Sequence, residues 1–357
     1  MSALRGMTWS HPRGVDPLVA CCGRLGIDAT WDARSLEDFE AFPLDELAAR
    51  YDLMVIDHPH VGMAAASGCL LPFDQALAQS LHGTTVGRSH ESYFWQGRQW
   101  ALAIDAAAQV AARRRGCGID WPGAWAEVVS LARQRRVIWP LAPVHALMSF
   151  FTRCAGKGID LPGTRFIDDL AGAAGVLEEL RELASLVPAE CFAMNPIAVF
   201  ERMKSDEQLA YSPLIYGYVT YARAGVIEFA DIVDGARGST LGGTGIAVSA
   251  RSPQPAQAQA LAIQIASAEM QRTTYVLAGG QPAHRLAWTD DAVNRHANDF
   301  YRSTLRTLDQ SYLRPRFDGY IDFQQRAGEC VSACLKRDTP VRACIEKLNE
   351  LYVETAR

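Results

Sequence analysis

Tyr51-Asp-Leu-Met-Val-Ile-Asp57, followed at once by His58-Pro-His-Val-Gly62, is the stretch on which the reading of this 357-residue chain turns. The unbroken apolar run Leu53 to Ile56 predicts a strand covered on both faces, because a half-exposed strand would alternate polar and apolar residues. Such a strand belongs inside a sheet with helices on either side. Its neighbourhood agrees: Leu4–Trp9 and Ile27–Trp31 read as strands, and Pro17–Leu25 as a helix behind the N-cap Asp16. Leu36–Phe42, Leu44–Arg50 and Gly62–Gly68 read as helical, and Cys69-Leu-Leu-Pro-Phe-Asp74 ends the unit. Strands alternating with helices predict an α/β fold with parallel pairing. Ligands of such sheets sit in the loops beyond the carboxyl ends of the strands. Here those loops are Ser10-His-Pro-Arg-Gly14 and Asp57 to Gly62.

Beyond residue 100 the pattern changes. Trp100-Ala-Leu-Ala-Ile-Asp105 reads as a strand entering an alanine-rich segment, and Trp121-Pro-Gly-Ala-Trp125 precedes a helix over Ala126–Gln134. Residues 165–205 carry apolar side chains at helical spacing. Tyr211–Tyr221 is aromatic and broken by Pro213 and Gly217. Gly238-Ser-Thr-Leu-Gly-Gly-Thr-Gly245 leads into a strand at Ile246–Ser249 and a long helix from Pro255 to Leu277. Helices dominate the remainder except at Leu313-Arg-Pro-Arg-Phe317.

Composition excludes several classes. A chain 49% hydrophobic and 21% charged buries a full core, and a net charge of −5 offers no basic footprint for nucleic acid. The most apolar stretch, Ala101–Ala112, is interrupted by Asp105 and Gln109, short of the ~18 residues of a membrane span. Nine cysteines without a Cys-x-x-Cys pair are expected to be free thiols of a reduced chain, or of a mature protein whose leader is gone. Residues 1–10 carry no leader pattern.

The order of these pieces resembles the family 1 extracellular solute-binding proteins of ABC transporters, the maltose-binding-like group. The resemblance rests on Tyr51–Asp57 with Ser67-Gly-Cys-Leu-Leu-Pro-Phe-Asp74, on Trp100–Asp105, and on Trp121–Trp125. It continues through Gly242-Gly-Thr-Gly-Ile-Ala-Val-Ser249, Gln271–Arg285 and Arg314-Pro-Arg316. It implies a two-lobed type II periplasmic-binding-protein fold with three inter-lobe crossovers. Lobe 1 would comprise 1–104 plus 242–313, and lobe 2 106–240 plus 315–357. The implied function is capture of a small polar organic ligand, a carbohydrate or carboxylated metabolite, in the inter-lobe cleft by hinge closure. An ABC permease would be the partner if the chain is exported, and no cofactor or membrane insertion is expected. The protein would be a monomer. The family is periplasmic, whereas the absent leader pattern keeps a cytoplasmic receptor open as the alternative.

Candidate ligand residues follow from the loops. His11 and Arg13, stiffened by Pro12 and Gly14, suit an anion or hydroxyl group, with Trp9 as an apolar platform or a core residue. Asp57, at the end of an apolar strand, needs a partner such as His58 or Arg13. His58 and His60 are ligand donors or, joined by His11 and His145, metal ligands; without a Cys or Glu-His pair the metal reading is the weaker. Asp105 is a carboxylate in the hinge strand, where the resemblance places an acidic contact. By the same resemblance Trp139, His145 and Tyr216 (with Tyr218) match ligand loops of lobe 2, and Gly242 and Gly243 allow close backbone approach. Tyr320 and Arg285 are candidates at the rim. Arg13 with the four histidines hints at an anionic ligand.

Signatures of catalysis do not appear. There is no G-x-x-x-x-G-K-[ST], G-x-S-x-G or H-E-x-x-H, and Gly243-Thr-Gly245 lacks the third glycine of a dinucleotide loop. An enzyme on this fold would need Cys117, Cys154 or the Asp57/Asp105 carboxylates as reacting groups. The chain is therefore expected to bind rather than to catalyse.

Overall fold

A computed structural model describes residues 3–35, 44–234 and 238–356. The expected helix Leu36–Phe42 lies outside the described residues, apart from which the first third follows the expected alternation. The first sheet contains β1 (Leu4–Trp9), β2 (Ala29–Arg34), β3 (Leu53–Asp57) and β4 (Leu70–Leu71). A hairpin of β5 (Phe94–Trp95) and β6 (Arg98–Gln99) stands apart, and β7 (Leu102–Ala103) returns to the first sheet.

The alanine-rich segment after Asp105, which sequence reading left without an element, is the long strand β8 (Ala107–Arg114). Its small side chains let layers close on both faces, and its one buried polar side chain is satisfied. Gln109 donates to Ser149 Oγ (3.1 Å) and accepts from Thr152 Oγ1 (2.7 Å). β9 (Tyr211–Tyr216) pairs antiparallel with one edge of β8. β10 (Ile227–Ala230) and β11 (Leu241–Gly242) pair with successive parts of the other edge. These four strands form the second sheet. β12 (Thr244–Ser249) then runs back into the first sheet, antiparallel to β3, giving the order β2-β1-β3-β12-β4 with β7 also on β12.

The molecule is therefore two-lobed, with one sheet in each lobe. The chain passes between sheets from β7 to β8 and back from β11 to β12. Near the third passage Tyr312 pairs with Thr240, while the Arg316 guanidinium binds the carbonyls of Glu91, Ser92 and Phe94. Helix Tyr320–Leu335 then packs on helix Pro143–Gly156. Helix Phe300–Asp309 rests on β8 and β10, with Phe300 edge-on to Phe229 at 5.0 Å.

Two helices also depart from the sequence reading. The first helix runs Pro12–Leu25, not Pro17–Leu25: the His11 ring accepts from the Arg13 amide as N-cap, and Pro12 takes a first-turn position where no N–H is missed. The long helix expected over Pro255–Leu277 stops at Ala266. Ser267 is extended (φ −65°, ψ 149°) and caps the next turn through its hydroxyl, after which Gln271–Tyr275 winds as a π-turn.

Candidate functional site

Where the two sheets meet, the hinge strands lie side by side. The Ile104 and Asp105 amides both donate to the Thr244 carbonyl, and the Thr244 amide donates to the Asp105 carbonyl, each at 3.0 Å. Gly243 makes this possible: its φ is +93°, and a Cβ there would stand 2.3 Å from the Asp105 carbonyl oxygen. Gly242 is bare for another reason, since the Tyr216 ring lies where its Cβ would project.

Above this crossing lies a small cavity, partly open to solvent. Trp9, Arg13 and Asp57 reach it from the strand ends of the first lobe, and Asp105, Gly242, Gly243 and Thr244 from the hinge. The second lobe contributes Ala107, Val144, His145, Met148, Pro196, Tyr216 and Tyr218. Arg314 enters from the third passage.

Arg13 is not an open cation. Its Nε and one terminal nitrogen donate to both Asp105 oxygens at 2.8 and 2.5 Å. The other terminal nitrogen donates to the Gly217 carbonyl at 2.9 Å, and the guanidinium stacks 4.5 Å from the centre of the Tyr218 ring. Burial opposes the charge on Arg13, yet the Asp105 charge and hydrogen bonds prevail and raise its pKa. Burial likewise pushes the Asp105 carboxyl up, and Arg13 offsets only part of that. The expectation that Arg13 waits for an anionic ligand is corrected: its charge is already met.

The histidines do not supply a positive field either. His145 lines the cavity, and burial, then the Arg314 charge, lower it to about 4. His11 is lowered to about 4 by burial and by Arg13, and its ring sits edge-on to Tyr218 at 5.0 Å. His58 lies behind the site, fully buried against Tyr93, and burial takes it well below the usual imidazole range. His60 turns to the Asp57 carbonyl, 3.1 Å from Nδ1. The four side chains do not converge, and no group of three His, Cys, Asp or Glu among the described residues could hold a metal.

Two other candidates fall in the core. Trp139 is fully buried and donates to Ser149 Oγ at 3.2 Å, and Tyr320 is fully buried beneath Phe317. Arg285 binds Asp309 at the surface rather than the cavity. The structure thus brings Trp9, Arg13, Asp57, Asp105, His145, Tyr216 and Gly243 together, and leaves His11, His58, His60, Trp139 and Tyr320 outside the lining.

Sequence reasoning missed Arg314, which had been read only as part of a crossover; a charge between Leu313 and Pro315 was the available signal. Arg314 donates to Gln324 Oε1 at 2.8 Å and stands 3.9 Å from Asp57 Oδ2. Asp57, pushed up by burial, is partly held down by Arg314, His60 and Arg13. Thr244 and Met148 were missed because single residues at strand and helix positions carry no motif. Thr244 Oγ1 and His145 Nδ1 have no hydrogen-bond partner among the described residues, although both are buried at the cavity. The site therefore carries two guanidinium and two carboxyl groups, aromatic walls, and unsatisfied neutral hydrogen-bonding atoms.

No family model matches the sequence, and no curated protein matches it. Solved structures do. The maltose-bound MalE3 of T. maritima is 17% identical, with 99% of each chain covered and a TM-score of 0.83. The GacH receptor of Streptomyces glaucescens, solved unliganded and with acarbose, is 15% identical over 99% of this chain and 98% of that one, at 0.82. An ABC transporter solute-binding protein of Thermotoga lettingae bound with alpha-D-tagatose is 15% identical, covering 98% of this chain and 100% of that one, also at 0.82. These likenesses span the whole chain, and the fold is that of the maltose-binding-like solute-binding proteins of ABC transporters.

Proposed function

We propose that this protein captures a small, neutral, polyhydroxylated molecule, a carbohydrate or a polyol, between its two lobes and delivers it to an ABC-type importer. The charge balance of the cavity carries the reading. Arg13 and Arg314 face Asp57 and Asp105, and the lining histidine is neutral, so the walls carry no net charge to recruit an anion. Tyr216, Tyr218 and Trp9 offer flat apolar faces, and Thr244 and His145 offer atoms that a hydroxyl-rich ligand would satisfy. The sugar ligands of the similar structures point the same way.

The reading extends to the whole chain. Residues 1–104 with 242–313 form one lobe and 106–240 with 315–357 the other, with ligand held at Trp9, Asp57, His145, Tyr216 and Gly243. Arg13 positions the hinge. The protein works as a monomer without catalysis, and its place is outside the cytoplasm, beside its permease. A thermal-shift screen of neutral sugars and polyols against the matching sugar acids tests this. A saturable rise with a neutral compound, recovered unchanged, is expected. A rise with acids alone, or chemical turnover, overturns it.

A further inference from the structure

The last two helices, Tyr320–Leu335 and Val341–Thr355, hold two thiols against each other outside the cavity lining. Cys330 Sγ lies 3.4 Å from Cys344 Sγ, and each sulfur is also 3.7 Å from the other residue's carbonyl oxygen. Cys334 follows one helical turn after Cys330 on the same helix. Cys330 is partly exposed, whereas Cys334 and Cys344 are buried. The Cys344 hydrogen bond, and less strongly the Lys347 ammonium, favour the Cys330 thiolate. Elsewhere burial does the opposite: Cys21 is raised to about 12 and Cys191 to about 11. One partly exposed thiol with a second already in contact is the arrangement of a redox pair.

We propose that Cys330 and Cys344 are an oxidant-responsive disulfide pair that staples the last two helices, with Cys334 as an exchange partner for Cys344. The oxidant is a hydroperoxide. The Cys330 thiolate attacks its terminal oxygen, so that an S–O bond forms as the O–O bond breaks, and the departing alkoxide or hydroxide takes a proton. Cys344 sulfur then attacks the Cys330 sulfenic acid. The S–S bond forms, the S–O bond breaks, and hydroxide leaves as water with the Cys344 proton. Two thiols and one peroxide give a disulfide, water and an alcohol (or a second water). The sulfurs need approach by only about 1.4 Å to reach bonding distance. A Cys334 thiolate attacking Cys344 would free Cys330 again by ordinary exchange.

The test uses the full native chain. Protein treated with a slight excess of hydrogen peroxide is alkylated under denaturing conditions, digested with trypsin and mapped by mass spectrometry. The expected product joins peptide 327–336, which holds Cys330 and Cys334, to peptide 343–347, which holds only Cys344. Its mass is two hydrogens short, and the free thiols fall from nine to seven and recover with reductant. The link persists in C334S; in C344S it is lost and Cys330 is trapped as sulfenic acid by dimedone. Oxidation raises the melting temperature, because closing the chain between residues 330 and 344 restricts the unfolded state. Nine unreacted thiols, a Cys330 sulfinic acid without cross-link, or a link between other cysteines overturns the proposal. The map of the unmutated protein decides it even where a variant fails to fold.

Discussion

Two arginines face the same cavity in different surroundings. Arg13 is gripped by both oxygens of Asp105, by the Gly217 carbonyl and by the Tyr218 ring. Arg314 donates to Gln324 Oε1 and stands 3.9 Å from Asp57 Oδ2, in a lining that also holds His145 Nδ1 and Thr244 Oγ1, two atoms without a hydrogen-bond partner among the described residues. Residue type does not distinguish them; their surroundings do. A buried charge that is fully hydrogen-bonded belongs to the scaffold, here tying the first helix to the hinge and to the second lobe. Incompletely satisfied polar atoms mark the side that a ligand completes.

The largest test of this contrast is D105A, which leaves the Arg13 guanidinium buried without its carboxylate. The variant is expected to lose about 3–5 kcal/mol in urea unfolding, the usual cost of removing one partner of a buried pair. A double variant, R13M/D105L, should regain much of that loss, since neither charge is then buried. A D105A protein as stable as the parent would mean that the Arg13 side is not scaffold.

Acid probes the other side. The His145 pKa is lowered from the ordinary 6.5 to about 4 in the folded state. Between those values the unfolded chain binds more protons than the folded one, so stability falls as pH drops through the window. The raised carboxyls of Asp57 and Asp105 act with the opposite sign, holding protons in the folded state above the ordinary carboxylate pKa. Comparison with H145Q isolates the histidine. Unfolding at pH 7.5 and 4.5 should show H145Q losing less stability than the parent, by at most roughly 3 kcal/mol for a shift of this size. Equal losses would place His145 in contact with water.

T244V should have the smallest effect on the fold and a clear one on binding. Valine keeps the shape and removes a hydroxyl that has no partner among the described residues, so stability should stay within about 0.5 kcal/mol. Affinity for the neutral ligand should drop about tenfold, or ~1.4 kcal/mol, in a titration.

The fold was legible because its signals are local and repeated: the apolar run Leu53–Ile56 between loops reads as an interior strand, and its register neighbour β12 carries a similar run at Ile246–Val248. β8 was not legible, since alanines fit helix and strand alike and only the second sheet decides between them. At the site, Arg13, Asp57, Asp105 and Tyr216 could be found from strand ends and hinge. That Arg13 and Asp105 satisfy each other, 92 residues apart, is tertiary information that no spacing encodes. His11 and His58 misled for a related reason: a polar residue near a strand end can cap a helix or fill the core as readily as it can meet a ligand.

Calorimetric titration of the protein with its best neutral sugar or polyol and with the corresponding sugar acid, at about 20 mM and about 300 mM salt, tests the central claim most directly. A balanced cavity predicts one site per chain, an affinity for the neutral compound that changes less than about twofold between the two salts, and binding of the acid at least about tenfold weaker. Tighter binding of the acid, weakening steeply with salt, would contradict it.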